Sequence, residues 1–180
     1  HYALGVENYA TWTSPIRKFG DMINHRLLKS LILGEEHPAL PDELTLQNMN
    51  NARRLNRMCE RDVRDWLYVE YLKPDLEKKT VFNAEIFDLN RSGLKVILQE
   101  NGAMVFVPQS LLTANRDALS LDDDRGMILV NDQVVLKLGD QIKIRIIAVD
   151  EKNRSITGAA AEPIGGLLLP EDPSATRPKH

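Results

Sequence analysis

The chain has 180 residues, with 23 Lys and Arg against 26 Asp and Glu, a formal net charge of -3 and 43% hydrophobic residues. With a mean hydropathy of -0.31, this describes a globular chain long enough for one ordinary domain or two small ones, and it excludes a polycation that would hold nucleic acid by bulk charge. The single Cys59 excludes an internal disulfide framework and a cysteine-built zinc site and fits a reducing cytoplasm, and no apolar run reaches membrane-spanning length.

The chain opens abruptly on His1-Tyr2-Ala3-Leu4, with neither an initiator Met nor a basic-then-apolar leader, so the expectation is a segment of a longer protein. The first predicted element is a helix over residues 15–33, where Ile16, Phe19, Met22, Ile23, Leu27 and Leu31 recur at helical spacing. Ser14 is placed as its N-cap, Pro15 at the first helical position and Gly34 as its stop. Arg17 then sits in the first turn, where free N–H groups, the positive end of the helix dipole and a guanidinium converge as a seat for phosphate. The same residues also read as an ordinary capped helix with a surface arginine. Arg17, Asp21 and His25 stand four apart on one stripe, so Asp21 is expected to pair with Arg17 and fix its rotamer. The alternative is a metal site on Asp21, His25 and Glu60. Tyr9 and Trp12 are candidates either for base stacking or for core.

After a loop containing Pro38 and Pro41, a second helix is predicted over residues 45–72, ending ahead of Pro74. At about 100° per residue, Arg53, Arg57, Glu60, Arg61 and Arg64 share one side. Leu55, Met58, Cys59, Val63, Trp66 and Val69 share the other, with Asp62 among them and needing a buried partner. The arginine stripe reads either as a solvated face or as a wall tracking a phosphate backbone, with Glu60 placed to meet a ribose or base edge.

Residues 73–79 are polar, and beyond them the periodicity changes from helical to alternating. Strands are predicted at 80–88, 94–99, 103–108, 134–137, 142–149 and 154–158, with a tight turn at 91–93, and together they indicate a small five-stranded barrel. The fold class is therefore α+β. Asp122-Asp123-Asp124 reads as an exposed acidic loop, because consecutive residues rarely converge on one ion. Residues 162–180 are expected to form a flexible tail, with Leu167–Leu169 available to pack on the barrel or on a neighbour.

The run Ala10-Thr11-Trp12-Thr13-Ser14-Pro15-Ile16-Arg17-Lys18, continued by Asp21 and His25-Arg26, closely resembles the Thr-Ser-Pro-Ile-Arg signature of the RNB family of 3′-to-5′ exoribonucleases. Residues 51–62 resemble the family helix that follows it. Further on, Ser92-Gly93-Leu94-Lys95-Val96, Phe106-Val107-Pro108, Ser110-Leu111-Leu112, Leu138-Gly139-Asp140 and Ile142-Lys143-Ile144 resemble, in that order, an S-one type RNA-binding domain, which is an OB-fold. The resemblance implies that residues 1–78 are the helical end of an RNB catalytic domain and residues 79–161 an OB-fold barrel. It implies that Arg17 grips the phosphate near the cleaved bond, that Glu60 lies beside the 3′-terminal nucleotide, and that Arg57 contacts the backbone. Ser14, Lys95, Arg116, Lys143 and Arg145 complete the RNA-binding candidates. Leu94 stands where such domains usually place an aromatic on the nucleic-acid face, which would weaken stacking there; Phe82, Phe87 and Phe106 remain.

The implied activity is processive hydrolysis of single-stranded RNA to nucleoside 5′-monophosphates with bound magnesium, in cytoplasmic mRNA degradation, with no membrane and no obligate protein partner. The family's metal-holding aspartates lie upstream of the Pro-Ile-Arg signature, and no such motif occurs in these 180 residues. Magnesium is therefore expected in the longer parent and not in this chain, which is expected to bind RNA and hydrolyse nothing. A second reading is a non-catalytic RNA-binding adaptor.

Overall fold

The computed structural model of the protein describes residues 2–36 and 38–170. They divide into two compact units, the first ending at Cys59 and the second beginning at Glu60.

The first unit holds helix α1 (Phe19–Leu33) and the start of helix α2 (Glu43–Lys78). α1 begins later than its apolar spacing predicts. Residues 15–17 form a separate turn, closed by the N–H groups of Arg17 (3.2 Å) and Lys18 (2.9 Å) on the Ser14 carbonyl. Lys18, in extended conformation, is the N-cap and supplies no side-chain bond. Ser14 therefore does not cap the helix, and Arg17 precedes its first turn. The predicted stop at Gly34 is observed: it adopts a left-handed φ of 67°, and the N–H groups of Gly34 and Glu35 close on the carbonyls of Leu31 and Ser30.

α2 starts at Asp42, whose carboxylate accepts the Thr45 N–H at 2.8 Å. It does not end ahead of Pro74 but runs through it to Lys78. Proline removes one helical hydrogen bond. Packing carries the helix past the defect: Val69 and Leu72 enter the barrel core with Leu76 against it, and Lys73 Nζ bridges Glu70 (2.9 Å) and Glu151 (2.8 Å). Lys79, at a left-handed φ of 52°, ends it, and the Thr80 hydroxyl turns back to Asp75 at 2.6 Å. The apolar side expected to be buried is not: Leu55, Met58, Cys59, Val63 and Trp66 are exposed, and only Val69 and Leu72 are covered. The partner required by Asp62 is Arg154, at 3.4 Å, with both side chains partly exposed rather than buried.

In the second unit, β1 (Val81–Asn90), β2 (Gly93–Leu98), β3 (Met104–Pro108), β7 (Gln141–Asp150) and β8 (Ser155–Ala160) close a barrel in the order β1-β2-β3-β8-β7. Period-2 burial along each strand makes the core: Phe82, Ala84 and Ile86 from β1, Val96 and Leu98 from β2, and Ile144 and Ile146 from β7 all point inward. Residues 134–137 are not a barrel strand. They belong to β6 (Gln133–Lys137), which joins β4 (Leu119–Asp122) and β5 (Met127–Val130) in a separate three-stranded sheet. The two added strands are too short to show their own alternation, and the acidic run between them reads as loop. In the structure it is a hairpin tip, where Asp122 ends β4 and accepts the Arg125 N–H at 3.0 Å.

The expectation of a flexible tail fails for residues 162–170. Ile164 is buried, and the Leu168 carbonyl accepts the Ala114 N–H (3.0 Å) and the Thr113 hydroxyl (2.8 Å). Residues 171–180 lie outside the described residues. Among the described residues no helix is long and apolar enough to cross a membrane.

Candidate nucleic-acid interface

Three polar side chains on one face of α1 strap residues 11–14 onto the helix. Asp21 is only 2% exposed. One of its carboxylate oxygens accepts the Thr11 hydroxyl, and the other accepts the Ser14 N–H at 2.9 Å. Asn24 Nδ2 donates to the Thr11 carbonyl at 3.0 Å, and His25 Nε2 donates to the Trp12 carbonyl at 2.6 Å, which requires the proton on Nε2. The Trp12 and His25 rings meet edge to face, with centroids 5.9 Å apart. Two sequence expectations are corrected here. Asp21 does not hold Arg17, because both of its oxygens are engaged by residues 11–14. Nor do Asp21, His25 and Glu60 form a metal site, because among the described residues no three His, Cys, Asp or Glu side chains group as metal ligands. Thr11 and Asn24 were missed. The available signal was Asp21, Asn24 and His25 at i, i+3 and i+4, a polar stripe on one face of the helix.

The Thr11 hydroxyl, opposed by burial and assisted by the Ser14 N–H, Lys18 and His25, holds the Asp21 carboxyl below the usual carboxylate range. A carboxyl depressed on folding contributes stability above its unfolded pKa, about 4, and that contribution is lost as pH falls through the folded value. Hydrogen-exchange protection of the Ser14 amide is thus expected to hold from neutral pH to about 4 and to fall away in more acid solution. Protection independent of pH across that range would show that Asp21 is not the anchor.

The strap fixes the turn that follows it. Ile16 is 102% exposed, and the Arg17 side chain also reaches solvent; among the described residues its guanidinium has no hydrogen-bond or ion-pair partner. On α2, Arg53, Arg54, Arg57, Glu60 and Arg61 are all exposed, whereas Arg64 turns to Asp65 at 3.0 Å. Arg17, Arg53 and Arg57 belong to the first unit, and Glu60, Arg61 and Arg64 to the second.

On the barrel, Lys95 of β2 lies between Asp88 of β1 and Phe106 of β3, with Thr157 of β8 next in the row. Leu94 is 0% exposed. The position after the hairpin glycine therefore faces the core, and Lys95 takes the outward place, so the expected loss of a stacking residue at Leu94 does not arise. Phe82 is also core, while Phe87 (58% exposed) and the half-buried Phe106 stand on the outer surface. Lys95 Nζ meets Asp88 at 2.7 Å, and Lys143 Nζ meets Glu162 at 2.6 Å. Lys143 and Arg145 are two apart on one face of β7, across from Asn83 and Val81, and Arg116 is exposed in the loop after β3. The barrel cations thus form separate groups rather than one patch.

The family model of the RNB domain matches residues 1–34, and that of the S1 RNA binding domain matches residues 75–159. The chain thus resembles RNB-domain proteins at its start and S1 RNA-binding domains over its barrel. Over 178 residues it is 44% identical to Exoribonuclease 2 of Vibrio cholerae, covering 99% of this chain and 26% of that protein. Over 165 residues it is 49% identical to Exoribonuclease 2 of Aeromonas hydrophila, covering 89% and 24%. The chain therefore spans about a quarter of the length of the curated relatives it matches. Its fold is similar to the apo form of Mycoplasma genitalium RNase R, with a TM-score of 0.70 at 18% identity, covering 89% of this chain and 26% of that one. The same enzyme, in complex with ribose-methylated single-stranded RNA, matches equally. Among the described residues no three His, Cys, Asp or Glu side chains converge on a position that could hold a metal ion.

Proposed function

We propose that this chain is the RNA-holding end of a 3′-to-5′ exoribonuclease that works processively on single-stranded RNA in the cytoplasm and releases nucleoside 5′-monophosphates. The observation that carries this reading is Arg17, an arginine with no side-chain partner among the described residues, on a turn fixed to a buried carboxylate. A guanidinium held out in this way suits bidentate contact with a phosphate. The likeness to proteins named Exoribonuclease 2, and to an RNase R solved with single-stranded RNA, supports the same reading. In it, Arg17 clamps the phosphate at the cleaved bond, Glu60 positions the 3′-terminal nucleotide, and Arg57 follows the backbone. Ser14 adds an RNA contact through its hydroxyl, since its N–H and carbonyl are already engaged.

The barrel adds stacking on Phe87 and Phe106 and phosphate contacts from Lys95, Arg116, Lys143 and Arg145. The carboxylates now on Lys95 and Lys143 form exposed ion pairs, which are weak enough for a phosphate to displace. Magnesium, held by carboxylates outside these residues, would supply the activated water in the longer protein.

The test uses the 180-residue chain, labelled single-stranded RNA and magnesium. Binding should weaken steeply as salt rises, and the RNA should stay full length. Trimming to short products would refute the placement of the metal carboxylates, and no binding at low salt would refute the RNA-holding role.

A further inference from the structure

The Arg17 turn raises a question of charge. Arg17 precedes α1, outside the helical spacing that pairs residues four apart, and Asp21 is the one carboxylate in the first turn of α1. The Thr11 hydroxyl and the Ser14 N–H occupy its two oxygens. This has two effects. It leaves the Arg17 guanidinium without a counter-charge among the described residues. It also anchors the chain at Ser14, whose carbonyl accepts the Arg17 and Lys18 N–H groups, so that the arginine's backbone is set before any ligand arrives. Asn24 on the Thr11 carbonyl and His25 on the Trp12 carbonyl hold the same segment from the next turn of α1. Hydrophobic packing does not account for the arrangement: the buried residues of α1 are Asp21 and Ser30, while Phe19, Leu28, Leu31 and Ile32 are exposed.

We propose that Asp21 is a positioning residue which, through Thr11 and Ser14, presents Arg17 to an RNA phosphate and keeps it unpaired until the phosphate binds. The inference rests on the reading of Arg17 as a phosphate contact. Ordering a loose arginine on binding costs affinity, and a turn ordered in advance avoids that loss.

The experiment measures the affinity of the 180-residue chain for a short single-stranded RNA against salt concentration, together with exchange protection of the Ser14 amide. Arg17→Ala should lower the slope of log affinity against log salt by about 1, the signature of one lost phosphate contact, and leave Ser14 protected. Asp21→Asn and Thr11→Val should lower the slope equally and expose Ser14, and neither should lower it further when combined with Arg17→Ala. Thr11→Ser keeps the hydroxyl and should restore both readouts.

If Asp21→Asn weakens binding by the same factor with and without Arg17, Asp21 is a structural residue only and the proposal is overturned. An unchanged slope in Asp21→Asn, where Arg17→Ala lowers it, also overturns it. An unchanged slope in Arg17→Ala with Ser14 still protected would instead remove Arg17 as the phosphate contact, so the two failures are told apart.

Discussion

Arg17→Ala, placed in a full-length RNB exoribonuclease that carries this segment, is expected to lower single-turnover cleavage by about 100- to 1,000-fold, the loss that follows removal of one donor aimed at developing charge. RNA affinity should fall far less. Affinity is a sum over many phosphate contacts, and in the proposed reading Arg57 and the barrel cations Lys95, Arg116, Lys143 and Arg145 share it along the strand. A guanidinium at the reacting phosphate contributes most where charge builds up, in the transition state. Arg17→Lys should recover only part of the rate, because an ammonium keeps the charge and loses the planar fork. Single-turnover rates and dissociation constants on one labelled RNA check this directly. Equal losses in rate and affinity would make Arg17 a plain binding residue.

Gly93→Val is expected to prevent the barrel from closing, at a cost of about 4 kcal/mol or more, the exceptional end for a single substitution. Gly93 sits at φ 152°, and a Cβ there would lie 2.2 Å from the Val107 carbonyl oxygen and 2.8 Å from Pro108 Cα. Both obstacles are backbone atoms of the paired strand, in the register Gly93↔Pro108, so no side chain can rotate to make room. The strands must separate instead. That exposes Leu94, Val107 and their neighbours, and the closed order β1-β2-β3-β8-β7 loses its second link. Gly139 offers the contrast, since nothing lies within 4 Å of its Cβ position. Gly139→Ala carries only the penalty of a positive φ, about 1–2 kcal/mol. Denaturant unfolding of the two variants beside the parent chain measures the difference, and similar midpoints for all three would contradict the close-approach explanation.

Much of the site could be read from residue order alone. The Thr-Ser-Pro-Ile-Arg run marks where an arginine leaves a turn, the alternation of Phe82, Ala84 and Ile86 marks a barrel strand, and Gly34 marks a helix end. Each of these depends on neighbours within a few residues. Local spacing put Arg17 in the first turn of a helix, which the structure moves to a separate turn ahead of α1, and its role as a phosphate contact came from the family resemblance.

Residue order settled local matters: the two helices, the five barrel strands, and the chemistry available on each. The tertiary structure decided where that chemistry is directed, because these outcomes depend on partners distant in sequence. Asp21 turned from Arg17 to Thr11, ten residues back. Pro74 stayed helical because Leu72 is seated in the core of a barrel formed later in the chain. Leu94 pointed inward because β1 and β3 fix the face of β2. Residues 162–170 docked because Thr113 and Ala114 supply the donors that the Leu168 carbonyl needs. A backbone or carboxylate oxygen takes the donors that folding brings to it, and residue spacing does not say which donors those will be.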